Sequence, residues 1–402
     1  MDSMTTYQIE TRVQQKWPAF LKLELPQEGF QLERGGCLRE IHVAFECYGK
    51  LNDVRDNVIL VCHALTGSSH AADLPNTAYL NFPHLSLNSG PPGEEHLLHR
   101  IERYPGWWDG AIGPGKALDT DRFCILVPNI LGSCYGTTGP MSKPPGQHAP
   151  YNTSFPDVTI RDMVAVQALW IQQLGIKRLH AVVGGSLGGM QVLEWALMFP
   201  EIVQRIIPIA TTAAHSPWAI AFNEIARLAI MNDPAWQEGH YTSQPKKGMA
   251  LARMAAMISY RSFASFHQKF GRQKRFEVDK QNAFSQSPVF QIESYLHYQG
   301  EKFLNRFDAN SYIILTRAMD WHDVAAGRGE LTEVLRSIHH PALVIGIDSD
   351  VLYPVEEQKF LANHLPDARY AEIVSPHGHD AFLIEWKQLT QMIKKFVENS
   401  AF

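Results

Sequence analysis

Apolar positions follow two regimes along this chain. VILVCHAL (58–65), FCILVPNI (123–130), LHAVVGGS (179–186), RIIPIATT (205–212) and ALVIGIDSD (342–350) are short, nearly continuous apolar runs. That is the pattern of strands buried on both faces of a sheet. The segment 30–66 reads as strands throughout, with IHVAFECYG (41–49) ahead of the run at 58, and ARYAEIVSP (368–376) adds a late strand. Between these runs the period lengthens to that of a helix. IRDMVAVQALWIQQLG ends at Gly175, LGGMQVLEWALMFP is stopped by Pro200, and VEEQKFLANHLP (355–366) and AFLIEWKQLTQMIKKFVEN (381–399) follow. Alternation of strand and helix predicts an α/β fold, a mostly parallel central sheet flanked by helices. The strands stop between 213 and 334, where the chain is helix-like and rich in Arg, Met and aromatic residues. The expected organisation is therefore a core of 1–212 and 335–402, interrupted by a helical cap at 213–334.

Composition narrows the class. Apolar residues make up 45% of 402 and charged residues 19%, which suits a globular chain and excludes a disordered one. A net charge of −5 gives no electrostatic footing for a nucleic-acid binder. No run approaches the roughly 18 apolar residues of a membrane span, and MDSMTTYQIETRVQQKW lacks a basic segment followed by an apolar one. The expectation is a cytoplasmic protein without membrane or nucleic-acid partners. Five cysteines at 37, 47, 62, 124 and 134 are odd in number and contain no CxxC, against a disulfide framework or structural zinc. Cys134, in a glycine-rich loop, is the one with conceivable chemistry. Eighteen histidines include no HExxH, so no metal is expected.

The strongest chemical signal is Gly184-Gly185-Ser186-Leu187-Gly188, which fits G-x-S-x-G between an expected strand and an expected helix. In that context the motif forms a sharp turn presenting a nucleophilic serine, with glycines where the backbone passes close by. An idle serine in a Gly-rich turn is the alternative. A serine nucleophile needs a base and an orienting acid, in the chain order Ser, acid, His. IGIDSD offers Asp348 and Asp350, and SPHGHDAF offers His377 and His379; spacing alone leaves each pair open. The oxyanion donors are expected to be the backbone amides of Leu65, in His63-Ala64-Leu65-Thr66-Gly67, and of Leu187. His63 reads as a structural hydrogen-bonding residue rather than a second base.

The chain resembles the homoserine O-acyltransferases of the α/β-hydrolase fold, most closely those that transfer acetyl. The resemblance covers nearly all of 30–395 and rests on blocks such as VCHALTGSSHAA, GWWDGAIGPGK, GSCYGTTGP, VVGGSLGGMQVLEWA, GMALARMAAMISYRS, SDVLYP and GHDAFL. It implies acyl transfer from acetyl-CoA, a co-substrate rather than a bound cofactor, to Ser186 and then to L-homoserine for methionine synthesis. It selects Asp350, in Ser-Asp-x-Leu, and His379, in Gly-His-Asp. It implies that Asp380 binds the substrate amino group and Arg253 its carboxylate, with Tyr260 nearby; on sequence alone Arg261 competes equally with Arg253. Val351-Leu352-Tyr353 stands where succinyl-using relatives carry an arginine, which favours acetyl. GTTGP (136–140) resembles members that use homoserine rather than serine. Homodimerisation through the cap is implied as well, although Met249, Met254, Met257 and Ile258 read first as core. The segment 68–106 is longer than the family pattern and is expected to be a surface elaboration, the alternative being that it reshapes the mouth of the active-site tunnel.

Overall fold

A computed structural model describes residues 18–87, 105–275 and 289–398. The N-terminal segment and residues 88–104 of the expected elaboration at 68–106 lie outside the described residues.

Ten strands are present among them: β1 (Ala19–Lys22), β2 (Phe30–Gln31), β3 (Cys37–Leu38), β4 (His42–Tyr48), β5 (Val58–Cys62), β6 (Cys124–Pro128), β7 (Ala181–Gly185), β8 (Ile206–Ile209), β9 (Ala342–Ile347) and β10 (Ala368–Ile373). Eight form one sheet in the order β1-β4-β6-β5-β7-β8-β9-β10. The β1–β4 and β4–β6 pairs are antiparallel, and every pair from β6 to β10 is parallel. The register sets Cys62 beside Gly184 and Gly185 beside Ile209, so the C-terminal ends of β5, β7 and β8 lie together.

The helices are α1 (Ala78–Asn81), α2 (Ile160–Gln173), α3 (Leu187–Met198), α4 (Pro217–Met231), α5 (Lys246–Tyr260), α6 (Phe263–Phe270), α7 (Gln291–Leu304), α8 (Ala309–Asp320), α9 (Leu331–Arg336), α10 (Val355–His364) and α11 (Trp386–Glu398). Successive strand residues point to opposite faces, so the apolar runs feed two cores. Leu60, Val182, Ile206 and Val344 pack with Trp170 and Trp195 on one face. Ile59, Val61, Val183 and Ile345 pack with Leu389 and Ile393 on the other. α2 starts at a capping box: the Thr159 side chain accepts from the Asp162 amide, and Asp162 accepts in return from the Thr159 amide.

Strands end earlier than the apolar runs suggest. Residues 63–66, 210–212 and 348–350 are loop, and each adjoins the site described below. The expected final helix at 381–399 starts only at Trp386, because Gly378–Leu383 forms a 3₁₀ turn. That turn is held in the core: the Trp108 indole donates to the Phe382 carbonyl at 2.9 Å. The β1 edge strand has no counterpart in the sequence reading; four residues are too few to show a period.

Between β8 and β9 the chain forms α4 to α9. α5 packs against α4 and α7, and α8 packs against α4. Cap and core meet tightly where a Cβ on Gly378 would lie 2.7 Å from the Ser262 amide nitrogen. The Ser262 hydroxyl also donates to the Pro376 carbonyl. No described helix is long and apolar enough to cross a membrane.

Candidate active site

Ser186 connects β7 to α3 with φ 60° and ψ −125°, a conformation rare for a residue with a side chain. The surroundings fix it there. Its amide donates to the Ile209 carbonyl at 2.9 Å, and its own carbonyl accepts from the Gly189 amide and the Thr211 hydroxyl, each at 2.8 Å. The left-handed turn therefore falls on the serine itself, and the motif glycines serve close approach. A Cβ on Gly188 would stand 2.1 Å from the Cys62 carbonyl oxygen, and one on Gly184 2.6 Å from the Gly188 backbone. α3 can start directly against the end of β5 only with both side chains missing.

His379 Nδ1 lies 2.6 Å from Asp350 Oδ2, with both side chains buried. Asp350 Oδ1 accepts from the amides of Leu352 at 2.8 Å and Tyr353 at 3.0 Å, which locks the carboxylate toward the ring. Burial works against an imidazolium at His379. The Asp350 charge and hydrogen bond, helped by Asp380, outweigh it and hold the pKa above the ordinary value. The other members of the two ambiguous pairs do different work. Asp348 accepts from the Ser375 amide, and the His377 amide donates to the Ser375 hydroxyl, which ties the two loops together.

Ser186 and His379 open on one cavity of about 320 Å³, which Leu65, Arg253, Tyr260 and Asp380 also line. Leu187 is fully buried beside it. As the first residue of α3, Leu187 has an N–H without an intrahelical acceptor. Leu65 follows His63, whose ring is held between the Ala64 carbonyl and Asn129. Burial lowers the His63 pKa to about 4, so a neutral ring braces the loop.

Arg253 lies over the rings of Tyr260 and Phe303, at 5.5 and 5.2 Å, and forms no ion pair among the described residues. Asp380 is paired: Arg261 Nη2 stands 3.1 Å from its Oδ2. Both arginines therefore face the cavity. The contest between them resolves into two positions, one on the aromatic wall and one on the carboxylate. Lys302 and Arg306 add further cationic residues to the lining.

Several motif residues act away from the cavity. Thr137 and Thr138 of GTTGP are buried; their hydroxyls accept from the Ala44 and His42 amides, and neither residue lines the cavity. Val351 faces outward, its carbonyl accepting from the Trp218 indole, whereas Leu352 and Tyr353 are buried beside Ser186. Cys134 is buried, and all five cysteines are free thiols. Glu357 is absent from the sequence reading. Burial and the nearby Asp350 charge push its pKa up to about 7. Nothing in VEEQKF distinguishes it from its neighbour Glu356.

Comparison with known proteins agrees with this geometry. The α/β-hydrolase fold model matches residues 57–385. The homoserine O-acetyltransferase of Moorella thermoacetica is 48% identical over 373 residues, covering 91% of this chain and 93% of that protein. Among solved structures, the homoserine O-acetyltransferase of Bacillus anthracis superposes with a TM-score of 0.82 at 28% identity, over 96% of this chain and all of that one. Esterase E22 superposes with a TM-score of 0.78 at 29% identity, over 94% of this chain and all of that one. This chain belongs to the homoserine O-acetyltransferases, acyltransferases built on the α/β-hydrolase fold.

Proposed function

We propose that this enzyme transfers an acetyl group from acetyl-CoA to the hydroxyl of L-homoserine through an acyl-Ser186 intermediate. The product would be O-acetyl-L-homoserine for cytoplasmic methionine synthesis. The observation that carries the reading is the strained Ser186 opening on the same cavity as a His379 oriented by Asp350 at 2.6 Å.

In the first half-reaction, Ser186 Oγ gives its proton to His379 Nε2 and attacks the thioester carbonyl. The amides of Leu65 and Leu187 stabilise the oxyanion, each worth about 3 kcal/mol in such sites. Collapse breaks the C–S bond, and the thiolate leaves with the proton from His379. In the second half-reaction the homoserine hydroxyl gives its proton to His379 and attacks the acyl carbon. Ser186 Oγ then departs and regains a proton. The cavity suits a zwitterionic acceptor. Arg253 is available for the substrate carboxylate and Asp380 for its ammonium, with Tyr260 between Arg253 and the His379 ring.

The test measures thiol release from acetyl-CoA and from succinyl-CoA, with and without L-homoserine. Fast release only with acetyl-CoA and homoserine supports the reading. Equal release without acceptor makes the enzyme a thioesterase, and preference for succinyl-CoA overturns the donor. S186A should abolish both transfer and covalent labelling by acetyl groups.

Pairing of two copies through the cap belongs to the same reading. It is supported by the exposed Trp218, Ile225 and Leu228 on α4 and Leu251 and Ile258 on α5. These two helices pack side by side and present an apolar face. Replacing Leu251 and Ile258 by Glu should yield a monomer by sedimentation; an unchanged mass refutes this interface.

A further inference from the structure

A second, much smaller cavity also reaches Ser186. Its volume is about 20 Å³, and it lies beneath the cap helices α4, α5 and α8. Leu65, Ser186 and Tyr260 line both cavities, but His379 lines only the larger one. No Asp, Glu, Lys or Arg lines the small cavity. His215 also lines it: Nε2 stands 3.0 Å from the Tyr353 hydroxyl, and Nδ1 lies 3.3 Å from the Asp320 carboxylate without forming a hydrogen bond.

Resting on the acyl-Ser186 intermediate proposed above, we infer that this small cavity is the acyl pocket, sized for a methyl group, and that Met319 and Phe222 set its length limit. Four substituents surround the tetrahedral carbon: Ser186 Oγ, the oxyanion, the acyl chain, and the leaving sulfur or attacking oxygen. The last exchanges a proton with His379 and must lie on the His379 side, in the large cavity. The oxyanion points to the Leu65 amide, and Leu65 lines both cavities. The acyl chain is left with the side away from His379, which is the small cavity.

The dimensions then decide which acyl groups fit. About 20 Å³ of this kind of space holds roughly one water-sized group, which is the size of a methyl. A propionyl chain adds a methylene to a packed site, and a succinyl chain adds a methylene and a carboxylate. That carboxylate would find neither Lys nor Arg in the lining, and the Asp320 carboxylate already stands beside His215. Met319, buried on α8, and Phe222, half-buried on α4, are apolar walls whose shortening enlarges the space without adding charge.

The test reads acyl-chain length directly on Ser186 using p-nitrophenyl acetate, propionate and butyrate, which need neither CoA nor homoserine. The wild type should acylate roughly 10- to 100-fold faster from acetate than from propionate, the discrimination one methylene provides in a tight pocket. M319A should raise the propionate-to-acetate ratio of kcat/KM at least about 10-fold, and F222A should act in the same direction. Thermal melts of both variants establish that they are folded. Acylation of the wild type by propionate as fast as by acetate overturns the proposal. So does an unchanged ratio in whichever of the two variants folds. A parallel assay with acetyl-, propionyl- and succinyl-CoA plus homoserine separates the two readings. Absence of transfer there, with a steep ester profile, leaves the pocket standing and removes the proposed substrates.

Discussion

Replacing Asp350 by Asn isolates the electrostatic role of the acid from its structural one. Oδ1 accepts two backbone amides, from Leu352 and Tyr353, and a side-chain amide can place its carbonyl oxygen there and keep both bonds. The new NH₂ group then faces His379 Nδ1 in place of an oxygen at 2.6 Å. It can only donate, so Nδ1 must accept and the ring proton moves to Nε2, the atom that has to receive the serine proton. The ring is held in the wrong tautomer, and the imidazolium formed at each step loses its counter-charge. Two unit charges about 4 Å apart attract by about 4 kcal/mol at an effective dielectric of 20, which is about three decades of rate at 1.36 kcal/mol per decade. The equivalent change in a serine protease triad lowers kcat about 10⁴-fold. D350N should therefore lower the rate of Ser186 acylation about 10³- to 10⁴-fold in a stopped-flow burst assay with p-nitrophenyl acetate, with the thermal melt little changed. Its residual activity should have an acidic limb at lower pH than the wild type. Burial depresses the His379 pKa, and the Asp350 charge that opposes burial is gone. Retention of more than a tenth of the wild-type burst rate in folded D350N would refute the assignment of Asp350 as the orienting acid.

Three further outcomes follow from single contacts. D380N should raise the homoserine KM about 10- to 100-fold, the worth of one charge-assisted hydrogen bond, while leaving acylation from acetyl-CoA largely intact; equal loss in both half-reactions would contradict an acceptor role. E357Q should remove a pH dependence of stability. The folded state holds a proton on Glu357 between the ordinary 4.5 and about 7, so wild-type stability falls as pH rises through that window. Allowing for its partial exposure, E357Q should be more stable than the wild type by about 1–2 kcal/mol at pH 8 and equal to it near pH 4, as urea titrations at the two pH values will read. G188A drives a methyl into the Cys62 carbonyl, backbone against backbone, and should cost more than about 3 kcal/mol or prevent soluble folding; a near-neutral result would mean that β5 and α3 can separate freely.

Parts of the site were legible in the sequence for local reasons. G-x-S-x-G lies within five residues between a strand run and a helix period, although the clashes at Gly185 and Gly188 are with Phe382 and Cys62 from other segments. The strands were legible because double-sided burial leaves an uninterrupted apolar run. Asp350 and His379 were not separable from Asp348 and His377 by residue type, because the deciding facts are where β9 ends and how the next turn folds. β9 stops at Ile347, and only Asp350 sits where its second oxygen can accept the Leu352 and Tyr353 amides. The Arg261–Asp380 pair was less accessible still. It depends on Gly378 lying against the Arg261–Ser262 backbone, a contact between distant segments that no local pattern encodes. GTTGP is informative as a family signature, yet its threonines brace β4 through the His42 and Ala44 amides and do not reach the cavity. Any influence on the acceptor passes through the position of that loop.

Solved structures of an acetyltransferase and of an esterase both follow this chain over nearly its whole length. The fold alone therefore does not choose between an esterase and an acetyltransferase, and on the proposed mechanism the choice belongs to the cavity that His379 lines. There, Arg253, Arg261 and Asp380 are partly withdrawn from solvent, and only one carboxylate–guanidinium pair is internally matched. An acceptor with a carboxylate and an ammonium can satisfy Arg253 and share Asp380, and it gains from interactions that water cannot make. The same acceptor occupies the space from which water would attack. On the proposed mechanism, transfer should outcompete hydrolysis because binding the acceptor fills the approach to His379. Hydrolysis of the acyl-enzyme should accordingly rise when Arg253 or Asp380 is neutralised, even as transfer to homoserine falls.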